Sequence, residues 1–268
     1  MKRWCVTFAG AGYDETVSKI VEDAPRFGAD ETLVYDDLWL RHHPFYELNR
    51  WIFDFVPNRC VGFCSWKPLL ILETFKRAAD GDVVLYTDGD CFPVGSMIPL
   101  FDIAEREGVW LARASAHQNR PWCKRDAYVI LGQDDDPKYI DMAAGCARYC
   151  AFQKGPWMPF QLLAEWMTYS VNRLATTKSP SKLGPEHEGF YENRDEQAIL
   201  TLLAHRYGIP LYREACDAGN EWIGRQPGEY GQVFQQVHQG GKHHPPTGSR
   251  FRNVELRAGA SYLEGYGR

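Results

Sequence analysis

The stretch GDVVLYTDGDCFP, residues 81–93, decides how this chain is read. Val83-Val84-Leu85-Tyr86 is a short continuous apolar run bounded by turn residues, the pattern of a buried strand. Immediately after it come Asp88 and Asp90, with Gly89 between them. Residues i and i+2 of a strand point to one face, so the two carboxylates converge if the extended conformation persists to Asp90. They repel one another, and burying either without a partner is costly. A hard divalent cation, Mn2+ or Mg2+, resolves that conflict, and a substrate diphosphate can supply its remaining ligands. In open α/β sheets ligands sit beyond the carboxyl ends of the strands, which is where this pair falls. The alternative is a solvated turn whose Asp side chains bond local amides.

Upstream, the chain opens as strand, helix, strand. Trp4 to Phe8 alternates as a strand, and AGAGY is a glycine-bearing turn. Asp14 is placed to cap a helix with Val17, Ile20, Val21 and Ala24 on its apolar face, ended by Pro25. Glu31 to Tyr35 is a second strand, and this order predicts a parallel sheet. Residues 36–65 are aromatic and irregular. Pro68 then sits at a first helical position, with Leu69, Leu72, Phe75 and Ala79 on one face. Downstream, 107–114 reads as a strand, and helices are expected over 159–175 and from Arg194 to Gly208. The run Asp134-Asp135-Asp136 reads as a solvated turn before Pro137. Residues 235–268 are rich in Gly, Pro, His and Arg without periodicity, a segment expected to wrap the surface or close over a site. No internal repeat or linker interrupts the chain, so residues 1–268 are expected to form a single domain.

Composition narrows the function. The 268 residues are 44% hydrophobic and 24% charged, ordinary for a globular protein with a sizeable core. A net charge of −5 argues against nucleic-acid partners, which need a basic face. Nine tryptophans favour concave, stacking surfaces. No apolar run is long enough for a transmembrane segment, and MKRWCVTFAG reads as a first strand rather than a signal peptide. The eight cysteines are scattered without zinc-site spacing, as expected of reduced thiols in a cytoplasmic protein.

Several pieces, in order, form a larger pattern: GFCSWKPLLILETFK, GDVVLYTDGDC, WCKRDAYVIL, ARYCAFQKGPW and NRDEQAILTLLAHRYGI. Together with the strand–helix–strand opening, over roughly residues 3–215, they resemble the GT-A fold of nucleotide-diphospho-sugar glycosyltransferases. In particular they resemble bacterial glycosyltransferase-like proteins with Trp-Lys-Pro, Asp-x-Asp and acidic-Gln motifs. The resemblance implies an α/β fold with a mixed, mostly parallel, Rossmann-like sheet flanked by helices. It implies a divalent metal, usually Mn2+, held by Asp90, with Asp88 reaching the metal through water or the ribose. Phe8, Ala9 and Gly89 would then line the nucleotide pocket, and Lys67, at a helix N-terminus, would place a second positive charge on the diphosphate. Related enzymes take a further metal ligand from a C-terminal histidine. His238 in VHQGGKHHPP is the match, although Lys242 comes earlier than the family pattern has it.

The family's acidic-Gln pair falls on Glu196-Gln197, with Glu where Asp is usual. Either Glu196 or neighbouring Asp195 would be the general base for an acceptor hydroxyl, or would bind sugar hydroxyls. Trp122, Lys124, Arg125 and Asp126 fall where such enzymes form the acceptor side. The expected function is metal-dependent transfer of a hexosyl group from a nucleotide sugar, UDP-linked by default, to a hydroxyl of a glycan or surface polymer. A nucleotidyltransferase of related fold ranks second, because FAGAGYDET carries no basic residue for a phosphate loop. A non-catalytic nucleotide- or sugar-binding protein is the third reading. The aspartyl-phosphatase pattern Asp-x-Asp-Gly-Thr is excluded by the glycine between the acids and by Cys91-Phe92-Pro93 after them.

Overall fold

The computed structural model describes residues 1–10, 12–55, 60–222, 230–237 and 260–262. Its centre is a seven-stranded sheet built from β1 (Arg3–Ala9), β2 (Glu31–Asp36), β3 (Val83–Thr87), β5 (Val109–Gln118), β6 (Ala143–Gln153), β7 (Leu211–Tyr212) and β9 (Ala260–Tyr262), in the order β7-β5-β6-β3-β1-β2-β9. β1 pairs in parallel with β2 and β3, β2 with β9, and β5 with β7; β6 alone runs antiparallel, between β3 and β5. The expected α/β fold with a mixed, mostly parallel sheet is the fold observed. A separate antiparallel pair joins β4 (Cys91–Pro93) to β8 (Phe234–Gln236). Thus β8, apart from its first residue, and β9 lie inside the segment 235–268 read as irregular, and both are secured by backbone pairing rather than by side-chain periodicity.

Alternation along each strand sorts the core into two layers. Trp4, Val6, Phe8, Val84 and Tyr86 face helices α2 (Lys67–Phe75), α5 (Trp157–Ser170) and α6 (Asp195–Arg206). Cys5, Val83 and Leu85 face α1 (Asp14–Asp23) and α3 (Ile98–Glu107) on the other side, while the short α4 (Arg125–Ile130) packs against α6. The helix expected over 159–175 ends at Ser170, and Asn172 then caps a short turn over Arg173–Thr176 by accepting from the Leu174 and Ala175 amides. The helix after AGAGY starts at Asp14 itself, with Tyr13 in the cap position. Among the described residues no helix is long and apolar enough to cross a membrane.

β6 is the longest of the described strands, and no strand is expected there from the sequence. Its Ala, Gly and Cys residues are buried on both faces, so no two-residue alternation marks it. Between Leu111 and Ala112 of β5, its pairing jumps from Cys150 to Cys146, so Ala147–Tyr149 bulge at the carboxyl edge of β3.

Candidate active site

The extended conformation ends at Thr87. Asp88 opens a tight turn in which the Cys91 amide donates to the Asp88 carbonyl at 3.0 Å, so the acids share a turn rather than one strand face. The residue between them is constrained: a Cβ on Gly89 would lie 2.7 Å from the Phe8 carbonyl oxygen and 3.3 Å from Val17. Only glycine lets this turn close onto the end of β1.

Asp88 is well supplied with donors. The Tyr86 hydroxyl donates to Oδ1 at 2.6 Å, and Lys67 Nζ lies 2.9 Å and 3.2 Å from the two carboxylate oxygens. The same Nζ pairs with Glu196 Oε1 at 2.8 Å and donates to the Ala147 carbonyl at 3.1 Å. Burial would push the Lys67 ammonium down, but the Asp88 and Glu196 carboxylates hold it well above the ordinary lysine value. Lys67 is 3% exposed and its three N–H bonds meet three protein acceptors. This corrects the reading of Lys67 as a free charge for a diphosphate: it is the internal counter-ion of two acids.

Asp90 is the opposite case. Gln236 Nε2 donates to Oδ2 at 3.3 Å and the Val237 amide to the main-chain carbonyl at 2.8 Å, but buried Oδ1 meets no donor. Burial, and next the Asp88 charge, raises the Asp90 carboxyl above its ordinary value, with Arg148 pulling the other way. Arg148, from the β6 bulge, pairs with Glu214 at 3.1 Å. Residues Arg148, Glu214 and Tyr86 were not identified from sequence. Tyr86 was within reach, since it lies two residues before Asp88 in the same strand.

Helix α6 supplies the facing wall. Gln197 Oε1 accepts from the Ala147 amide at 3.3 Å and Thr201 Oγ1 from the Gly145 amide at 3.0 Å, tying the helix to β6. Glu196 is 5% exposed, and its carboxyl is raised by burial and drawn back down by Lys67. Asp195, also 5% exposed, stands at φ +53°, a left-handed conformation that is costly for a non-glycine residue and concentrates at functional sites.

Other expected ligands lie elsewhere. The Phe8 ring is buried and stacked on Trp66 at 4.0 Å, and Ala9 is fully buried, so neither side chain faces a nucleotide pocket. Lys124 and Asp126 are 1% and 0% exposed and pair with each other at 3.1 Å, which removes both from any acceptor surface. Arg125 pairs with Asp134 at 2.8 Å, so the first member of the acidic run is a partner rather than a solvated turn residue. Trp122 does stay near the surface, with the Arg194 guanidinium 4.2 Å from its ring. His238 lies outside the described residues. Among the described residues no group of three or more His, Cys, Asp or Glu side chains is disposed to hold a metal. The orphaned Asp90 oxygen beside a second carboxylate nonetheless fits a hard cation, with ligands completed by a diphosphate or water.

No protein-family model matches the chain, and no curated protein matches it in sequence. Among solved structures it is similar to mouse xyloside xylosyltransferase 1, at 10% identity and a TM-score of 0.43, over 89% of this chain and 98% of that one. It is also similar to the galactosyltransferase LgtC, at 12% identity and a TM-score of 0.41, over 89% and 88%. The glycosyltransferase GlyE of Streptococcus pneumoniae matches at 15% identity and a TM-score of 0.40, over 89% of this chain and 55% of that one. Likeness of this degree assigns no role to any residue here.

Proposed function

We propose that this chain is a glycosyltransferase that moves a sugar from a nucleotide-sugar donor, UDP-linked by default, to a hydroxyl of a glycan or polymer acceptor, with Mn2+ or Mg2+ held at Asp90. The observation that carries the reading is the buried, donorless Asp90 oxygen next to Asp88, at the carboxyl edge of parallel strands. Asp88 and Glu196 converge on a single fully engaged ammonium, Lys67, and Asp90 adds a third carboxylate beside Asp88. That acid excess favours a ligand bearing positive charge, and a diphosphate reaches such a site together with a cation.

Asp90 would hold the cation directly, Asp88 through water or by the ribose, and His238, the residue after Val237 in the chain, is proposed as a further ligand. A cation bound there would supply charge stabilisation for the diphosphate leaving group. Lys67 holds the Asp88 and Glu196 side chains in place, so the donor side is set before substrate arrives. Taking a proton onto Glu196 would break its bond to Lys67 and leave that ammonium poorly compensated. Asp195, held in a strained conformation at the same helix start, is therefore the better base for the acceptor hydroxyl.

Calorimetric titration of UDP, GDP and CMP, each with Mn2+ and with EDTA, tests this reading. One nucleotide should bind only with metal, and Asp90→Asn should abolish that binding. If none binds in a metal-dependent way, the proposal fails.

A further inference from the structure

Residues 177–194 contain no helix or strand, yet join the end of a helical turn to α6. Structureless connections of this length are uncommon, and are usually either functional or linkers. This one is fastened along its length. The Asp126 carboxylate accepts from Ser181 Oγ at 2.7 Å and from the Lys182 and Leu183 amides at 2.9 and 2.8 Å. Lys124 Nζ donates to the Ser179 carbonyl at 2.7 Å, and the Arg125 amide donates to Glu186 at 2.7 Å. Farther on, the Pro121 carbonyl accepts from the Tyr191 and Glu192 amides, and Asn193 Nδ2 donates to the Ala175 and Thr176 carbonyls.

What this anchoring displays is an aromatic corner. Tyr191 is 76% exposed although its backbone is fixed, and its ring meets Trp122 edge to face at 5.3 Å. The Arg194 guanidinium lies over the Trp122 ring, and exposed His117 meets the same ring edge to face at 5.4 Å. Single exposed aromatics are normal and need no account. A rigid pair flanked by a guanidinium, held by a buried ion pair, is a built surface. It is also close to the catalytic candidates, because four residues of chain keep Tyr191 within about 14 Å of Asp195.

We propose that Tyr191, Trp122 and Arg194 form the acceptor subsite, and that its ligand is a saccharide chain. The apolar C–H face of a sugar ring stacks on the tyrosine, while Arg194 bonds hydroxyl or carboxylate groups at the ring edge. The inference rests on the glycosyltransferase reading and adds the acceptor contacts to it. A nucleotide base is the competing occupant of an aromatic surface. The sheet order disfavours it: β6 and β3 stand between β5, whose end leads to Trp122, and β1, where a nucleotide would lie. Lys124 and Asp126 thereby act on the acceptor as positioning residues rather than as contacts.

The test uses the full chain, as wild type, Tyr191→Ala and Tyr191→Phe, with UDP and Mn2+ present. Each is applied to an immobilised panel of short neutral and uronate-bearing oligosaccharides, with a UDP–Mn2+ titration run alongside. Wild type and Tyr191→Phe should be retained on at least one saccharide, and Tyr191→Ala should bind it about tenfold more weakly. Equal retention of Tyr191→Ala overturns the inference, and so does a wild type that holds no saccharide. Loss of UDP–Mn2+ binding in Tyr191→Ala would give the surface to the nucleotide and overturn it as well. Absence of UDP–Mn2+ binding in wild type defeats the donor reading instead, and the saccharide result is then judged by itself.

Discussion

Among the described residues two buried lysine–carboxylate clusters are built alike but closed differently. At Lys124–Asp126 every strong group finds a protein partner: the ammonium meets Asp126 and two carbonyls, and the carboxylate meets a hydroxyl and two loop amides. At Lys67 the ammonium is equally engaged, but the acids outnumber it and one Asp90 oxygen has no donor. The first cluster is complete and rivets a loop. The second leaves a buried carboxylate oxygen without a donor, and that incompleteness separates a site from a brace although the residue types are the same.

The largest effect that tests this contrast is on stability. Asp126→Ala should destabilise the fold by about 3–5 kcal/mol, since it leaves a buried ammonium unpaired, while UDP–Mn2+ affinity of the folded fraction stays at the wild-type value. Urea unfolding with a parallel titration reads both. A variant whose nucleotide affinity falls in step with its stability would erase the distinction between the clusters. Lys67→Met should cost a similar 3–5 kcal/mol but, unlike the first case, remove metal-dependent nucleotide binding as well. Adding Glu196→Gln to it should recover part of the stability, as a cycle of single and double variants would reveal.

Next in size is turnover. Asp195→Asn should lower kcat by about 100-fold or more with UDP affinity retained, the mark of a lost base. Glu196→Gln should lower donor affinity as well, because it loosens Lys67 and with it Asp88. The reverse pattern would exchange their roles.

The smallest effect runs counter to intuition. The raised Asp90 carboxyl means the native state binds this proton more tightly than the unfolded chain does. Stability is therefore lost as pH climbs from the ordinary carboxylate value of 3.8 through the raised native one. Without divalent cation, Asp90→Asn should melt about 2–4 °C higher than wild type at pH 7. The gap should close below the ordinary carboxylate value, and Mn2+ should stabilise only wild type. Equal melting temperatures at neutral pH would mean that the orphaned oxygen carries no penalty.

Much of the fold was legible because its elements carry strong local signals. The Val83–Tyr86 run, the Pro68 helix start and the periodicity of α6 all appear where they were expected, within a residue or two at the ends. β6 escaped because a strand of small residues buried on both faces has no period to read. At the site, spacing located Asp88, Asp90 and the Asp195-Glu196 helix start, but could not show which cations were already bound by protein. Lys67 and Lys124 both looked like ligands for a substrate. Nothing local announces that the Lys67 head will meet the distant Asp88 and Glu196 carboxylates, or that Lys124 will be buried against Asp126 and carbonyls 53 and 55 residues on, so both were misread in the same direction. Tyr191 was passed over for the complementary reason: it stands in a segment without periodicity, and only the tertiary anchoring of the loop makes its exposure meaningful.

The contact beneath Gly89 also bears on ancestry. Because a Cβ at that position would strike the Phe8 carbonyl, the middle letter of the acidic triplet is not free to drift. A randomised library at codon 89, selected for folded protein, should return glycine almost alone. Chains that carry a bulky residue between two such acids must hold their first strand farther away. A match to the acids alone is therefore a poor guide to kinship, and the small residue between them is the stricter criterion for recruiting true relatives of this chain.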